Sequence, residues 1–399
     1  MESAGVRRTA EQVLGDADRA MAVGDLSAAN RLLQPLKRSG EALDQIEARL
    51  AEIGRRLGLD RPVPKPTPGY LLIRGWGAGL WGDVNHVVTQ LMLAESLGRI
   101  PVIHWGQESR YYRPGAGNAW ELYFEPVSAA TLADLGAAGL SYFPSKWTSS
   151  NLRTPRVNKD AGEGSRVSGL YFLNRPEQVL VSDYFTEPDD VLPWLPEGHP
   201  WRGVDPEALF GEFYRTRIRL KPHLAASLDG LERQLLRSRP MLAVHYRTPS
   251  RIKLLEARDK DSIEIEDYIP HIDRHLDVHP GGGIFMITDF APAYAALKTR
   301  YGERLVSRAV ARLDSADQLS LEWLTQLDGR RLGVEVILDT YLAARCDAFL
   351  GDGASGVSTA VCRLKVWPEG AVTLFRRAGM PLGYIRQHSD PSAWWNPPA

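Results

Sequence analysis

Residues able to do chemistry gather in the second half of the 399-residue chain. The run "VHYRTPSRIKLLEARDKD", 244–261, places His245, Tyr246 and Arg247 at the end of an apolar stretch, with Arg251 and Lys253 close behind. A planar guanidinium at a strand tip can fork onto a diphosphate, and neighbouring cations strengthen its field. The competing use of such a run is a surface ion-pair network with Asp259, Asp261 and Glu264. "GIFMITD", 283–289, ends in Thr288 and Asp289. A carboxylate there can accept from a ribose hydroxyl or a base edge, or cap the helix that starts near Pro292. "FLGDGASGVSTAV", 349–361, reads as strand, Gly-rich loop and helix, with Ser355 near the helix start. Free N–H groups and the helix dipole favour phosphate there. The loop lacks the lysine of a P-loop, which argues against nucleoside triphosphate hydrolysis.

A second glycine loop lies in "YLLIRGWGAGLWGDVNHVV", 70–88, where Gly77, Gly79 and Gly82 fit G-x-G-x-x-G. A dinucleotide site also needs small residues at the pyrophosphate and an acid at the end of the next strand. Here Trp76 and Trp81 crowd the turn, and the next strand ends in His104-Trp105-Gly106, with Glu108 only beyond it. The spacing is met and the chemistry is not, so NAD and FAD are disfavoured. What remains is a Gly-rich loop at a strand's carboxyl end, where open α/β sheets place ligands. Gly79 is expected to lie against a donor there. Trp81, Asn85 and Trp105 are expected to face an acceptor, since indoles in loops can stack on a sugar ring; plain packing is their other use. Two metal patterns are weak. His271, His275 and His279 step by four along one helix, but on a face suited to solvent, and Asp259-Lys260-Asp261 sits in a stretch where D-x-D arises cheaply. No metal and no cofactor is expected.

These loops need a scaffold of alternating strands and helices. Strand 70–74, helix 84–97 and strand 100–104 form one β-α-β unit. A second series runs through strands 241–247, 283–289 and 347–350 and helices 291–301, 331–345 and 355–364. Such alternation implies α/β architecture with parallel sheets covered on both faces. Two series imply two Rossmann-like domains facing across a cleft, after an N-terminal helical segment. Residues 1–58 read as a tetratricopeptide-like hairpin or cap, with Leu43, Ile46, Leu50, Ile53 and Leu57 on one stripe and Asp25 or Ser27 as an internal N-cap. Pro62, Pro64, Pro66 and Pro68 make a stiff connector. The domains are then 69–220 and 221–376, with a tail at 377–399.

Composition narrows the function. Net charge is −1, so no global field draws the chain to nucleic acid. No apolar run is long enough for a membrane span. Cys346 and Cys362 make no disulfide framework, and the polar N-terminus is no signal peptide, so a cytoplasmic protein is expected. The N-terminal helices could seat a protein partner.

With the loops placed, the chain resembles the GDP-fucose-dependent fucosyltransferases: the nodulation and core α-1,6 enzymes and the protein O-fucosyltransferases. The resemblance spans about three-quarters of the chain. It runs from the Gly-rich loop and "VNHVVTQLMLAESLGRIPVIHW" through "HYR", "ITD" and "LGDGASGVS", in the family's order. It implies the GT-B arrangement, a GDP-fucose donor held by the C-terminal domain, and direct, metal-independent, inverting transfer to a glycan, peptide or small-molecule hydroxyl. By position, His245 and Asp289 would contact guanine or ribose, Arg247 would clamp the diphosphate, and Ser355 with Gly356 would bind the phosphates. The family commonly carries a second Arg, or Gly-Thr-Asp-Lys, after its "H-x-R", where this chain has "TPSRIKLLE". Arg251 would then replace that cation, and Glu256 lies near the place of a family base. The rival readings are a GT-B transferase using a UDP- or ADP-sugar, and an inactive carbohydrate- or protein-binding relative.

Overall fold

The computed structural model describes residues 9–75, 77–154, 167–184, 186–247, 263–315, 328–353 and 355–375. Three helices open the chain: α1 (Ala10–Ala22), α2 (Leu26–Ser39) and α3 (Leu43–Arg56). Thr9 and Gln12 form a capping box on α1, and Asp25 caps α2 by accepting from Ala28 N at 2.8 Å. Ile46, Leu50 and Ile53, the middle of the expected stripe, pack with Leu14, Leu33 and Leu170. Leu43 at its end is exposed. The helices are also tied to the next domain by a buried ion pair, Arg31 Nη2 to Asp190 Oδ2 at 2.7 Å, with side chains 5% and 0% exposed.

The first sheet contains β1 (Tyr70–Arg74), β2 (Ile100–His104), β3 (Tyr142–Phe143) and β4 (Val179–Ser182), in the order β2-β1-β4-β3 and all parallel. Between β1 and β2 runs α4 (Leu80–Leu97), which starts four residues before the expected 84 because Gly79 adopts the extended N-cap conformation. Most of α4 is buried on every side, including Asp83, Asn85, His86 and Gln90. A helix buried nearly all round is covered on both faces. The sheet lies on one side, and the second half of the molecule on the other. A short helix, α5 (Leu132–Leu135), precedes β3.

Two helices, α6 (Pro206–Thr216) and α7 (Pro222–Leu235), lead into the second sheet. Its strands are β5 (Met241–Tyr246), β6 (Gly283–Thr288), β7 (Leu305–Val306), β8 (Ala348–Asp352) and β9 (Val372–Phe375). Their order is β7-β6-β5-β8-β9, again all parallel. Counted from β5, this is third-second-first-fourth-fifth, the doubly wound order, with its topological switch between β5 and β8. The helices are α8 (Ile265–Val278), α9 (Ala291–Tyr301), α10 (Gly329–Ala344) and α11 (Gly356–Leu364). One apolar cluster joins the halves, with Leu332, Ile337 and Ala360 packed among Trp81, Tyr123, Phe210 and Tyr214. Thus the chain is α/β and GT-B-like, with two Rossmann-like units beside a shared cleft. Among the described residues, no helix is long and apolar enough to cross a membrane.

Candidate active site

The cleft opens at the carboxyl ends of β5 and β6, next to the switch point, and encloses about 90 Å³ before it widens into open solvent. Strand β5 delivers His245 and Arg247, strand β6 delivers Thr288 and Asp289, and α10 supplies Glu335 and Asp339. Tyr111 reaches in from the first half.

His245 is buried, and its Nδ1 lies 2.8 Å from Ser358 Oγ on α11. Its carbonyl accepts from Tyr268 Oη at 3.1 Å. Burial pushes its pKa down to about 4, against the pull of Asp352 and Asp289. The ring is therefore neutral near pH 7 and can hydrogen-bond a base or sugar without adding charge. Arg247 extends from the strand tip with its side chain 33% exposed and pairs with the more buried Asp289. Asp339 accepts from Arg308 Nη1 at 3.0 Å, and burial raises its pKa to about 6. Glu335, one turn earlier, accepts from Arg331 Nε at 2.7 Å.

At the switch point Ser355 caps α11, accepting from Val357 N at 3.3 Å. Gly356 opens that helix against α4, where an added Cβ would stand 3.5 Å from Trp81 Cβ. The two Gly-rich loops therefore meet, but they differ in what their amides do. In the first, Gly77 N and Ala78 N donate to the carboxylate of Asp83 at 3.4 and 3.1 Å, and Leu80 N donates to Tyr111 Oη at 2.8 Å. A side chain of the protein already occupies the place a pyrophosphate would need. Glu108, the one acid near the tip of β2, is paired with Arg74. The disfavoured dinucleotide reading thus fails on geometry as well as on composition.

The three acceptor candidates lie in the core. Trp81 Nε1 donates to Thr340 Oγ1 at 2.9 Å. Trp105 packs edge-on against Trp120, with ring centroids 5.0 Å apart. Asn85 Oδ1 accepts from Tyr214 Oη and from Arg363 Nη1, the latter at 2.8 Å. Each is at most 2% exposed, so none offers a surface to an acceptor; Trp81 and Asn85 join the halves, and Trp105 packs within the first. Gly79 serves as the N-cap of α4. Arg251, Glu256 and the Asp259-Lys260-Asp261 triplet lie outside the described residues. His271 and His275 are on α8, with His279 capping it, and His271 meets the edge of Phe375. Among the described residues no cluster of His, Cys, Asp and Glu could hold a metal ion.

Sequence reading missed Tyr111, Glu335 and Asp339. The signal for the two acids was present: they stand four apart in "LGVEVILDTYLAA", an otherwise apolar helix, and so share one face.

No family model matches the chain, and no curated protein matches it. Solved structures do. A NodZ α-1,6-fucosyltransferase soaked with GDP-fucose is 17% identical, with a TM-score of 0.48 over 74% of this chain and 92% of that one. The fucosyltransferase NodZ from Bradyrhizobium gives 17% and 0.45, over 74% and 92%. POFUT1 in complex with GDP gives 11% and 0.49, over 78% and 99%. Likeness at this level concerns the general course of the chain, not its substrates.

Proposed function

We propose that the chain is a glycosyltransferase that moves fucose from GDP-fucose to a hydroxyl acceptor by metal-independent, inverting transfer. One observation carries the reading: Arg247 and the capped N-terminus of α11 arise from adjacent strands at the switch point, beside a cleft lined by buried polar groups. A fork of positive charge and a helix terminus suit a diphosphate. The cleft suits the nucleoside. Guanine presents N–H donors that a carboxylate such as Asp339 can accept, and His245 and Asp289 stand on the same wall. The order of "HYR", "ITD" and "LGDGASGVS" agrees with that donor.

In transfer, an acceptor oxygen attacks the anomeric carbon from the face opposite the diphosphate, which inverts the centre. The departing diphosphate gathers negative charge, and Arg247 and the α11 amides stabilise it; such electrostatic help is usually the largest catalytic contribution. Without donor, Asp289 holds the guanidinium of Arg247 in place.

Thermal unfolding with GDP, UDP, ADP and NAD⁺, each with and without EDTA, tests this. A ligand at 100 times its Kd adds about 2.7 kcal/mol, or about 2 °C or more for a chain this size. A GDP shift indifferent to EDTA is expected. A UDP or ADP shift would replace the donor, and no shift would sink the proposal. GDP binding without GDP release from GDP-fucose would make the chain a binding relative.

A further inference from the structure

Strand β5 turns His245 toward the face of the second sheet that α11 covers. By the alternation of a strand, His245 shares its side with Met241 and Ala243, and those two pack with Phe349 of β8 and Val361 of α11. In register, His245 stands opposite Gly351 of β8. The missing side chain matters there: a Cβ on Gly351 would lie 2.7 Å from Ser358 Oγ and 2.6 Å from the Phe349 ring. With only hydrogen at that position, Ser358 Oγ comes within 2.8 Å of His245 Nδ1.

Only one of these two atoms can give the proton without cost. Ser358 is fully buried, and among the described residues His245 Nδ1 is the hydrogen-bond partner of its Oγ. A hydroxyl has one hydrogen to place, and a buried O–H without an acceptor is costly. If Nδ1 carried the ring proton, it would donate to Oγ and leave the hydroxyl hydrogen with no acceptor. If Ser358 donates to Nδ1, the hydroxyl is satisfied and the ring proton sits on Nε2. Burial keeps the ring from taking a second proton, since it holds the His245 pKa at about 4 against the pull of Asp352 and Asp289. Nδ1 is then spent on Ser358, and Nε2–H is left for the cleft, which the ring lines.

We propose that Ser358 is a positioning residue that holds His245 as its Nε2–H tautomer, so that the ring donates a hydrogen bond to a lone pair of the bound nucleoside. This rests on the glycosyltransferase reading. Asp289, Glu335 and Asp339 line the same cleft, and an ionised carboxylate can only accept. His245 adds a neutral donor to that acidic wall. Guanine needs both kinds of partner, because its amino group donates while O6 and N7 accept. The same tautomer rules the ring out as general base: a nitrogen that already carries a proton cannot take one from the acceptor hydroxyl.

NMR of protein with isotope-labelled histidines, near neutral pH and with His245 assigned through His245→Gln, reads the tautomer with no ligand present. The ring nitrogen that couples to both carbon-bound ring protons is Nε2, and it should carry the hydrogen before and after GDP is added. In Ser358→Ala the signal should move toward a mixture of tautomers, and GDP should bind about tenfold more weakly. Ser358→Thr keeps the hydroxyl and should restore both. A wild-type ring protonated on Nδ1 overturns the assignment. So does Ser358→Ala with the wild-type spectrum and GDP affinity. Equal weakening by Ala and Thr, with the Nε2–H spectrum intact in both, would leave Ser358 a packing residue and overturn it as well. A wild type that binds no GDP removes the proposed function and the nucleoside contact together, whereas one that binds GDP with Nδ1 protonated removes this inference alone.

Discussion

At the scale of single residues, Arg247 is where one change should matter most. Its guanidinium is fixed by the strand tip and by Asp289, so Arg247→Ala should lower turnover about 10²–10³-fold, by analogy with loss of one oxyanion donor. Fucose transfer measured with saturating GDP-fucose checks this, and near-normal turnover would refute the clamp. The place of Arg247, Asp289 and His245 at the cleft was legible because each ends or follows an apolar strand, and a strand fixes where its last side chains emerge. Trp81, Trp105 and Asn85 were not. Tryptophan in a Gly-rich segment reads alike whether it faces a sugar or another helix, and only the packing of the second half on α4 decides. Glu335 and Asp339 were hidden for the converse reason: acids on a helix usually mark a solvated face, whereas α10 is enclosed on most sides.

At the scale of elements, the central strands and their helices could be read from apolar runs and capping residues. The short strands β7 and β9 could not, since two and four residues carry too little pattern to stand out. The docking of α1–α3 was equally hidden, because its buried polar groups are distant in sequence. Glu187 belongs to that seam, facing Arg31, Arg38, Asp189 and Asp190, and burial raises its pKa to about 7. The folded state therefore holds a proton on Glu187 that the unfolded chain has already released near pH 4.5, and stability falls as pH rises from there to about 7. Glu187→Gln removes that loss. Relative to the wild type it should gain on the order of 2 kcal/mol between pH 5 and pH 8, read from urea unfolding at the two values. An equal difference at both would show that Glu187 does not titrate in the seam.

At the scale of the whole molecule, the two halves share one apolar cluster, and Trp81–Thr340 and Asn85–Arg363 cross between them. Calorimetry should therefore show one unfolding transition joining both sheets, and GDP should move all of it. Two resolved transitions, only one of them sensitive to GDP, would mean that the halves are energetically separate. Where α10 meets the first half, a Cβ on Gly329 would stand 2.4 Å from Arg110 O, and one on Gly333 would stand 2.5 Å from the Tyr123 ring. The helix that carries Glu335 and Asp339 thus rests directly on Arg110 and Tyr123 of the first half. Relieving either contact to an ordinary 3.4 Å needs a shift of about 1 Å, and a misplacement of that size at a site of catalysis can cost about 10²-fold in rate. Two hydrogen atoms in place of side chains, outside the lining of the cleft, fix where its acidic wall stands.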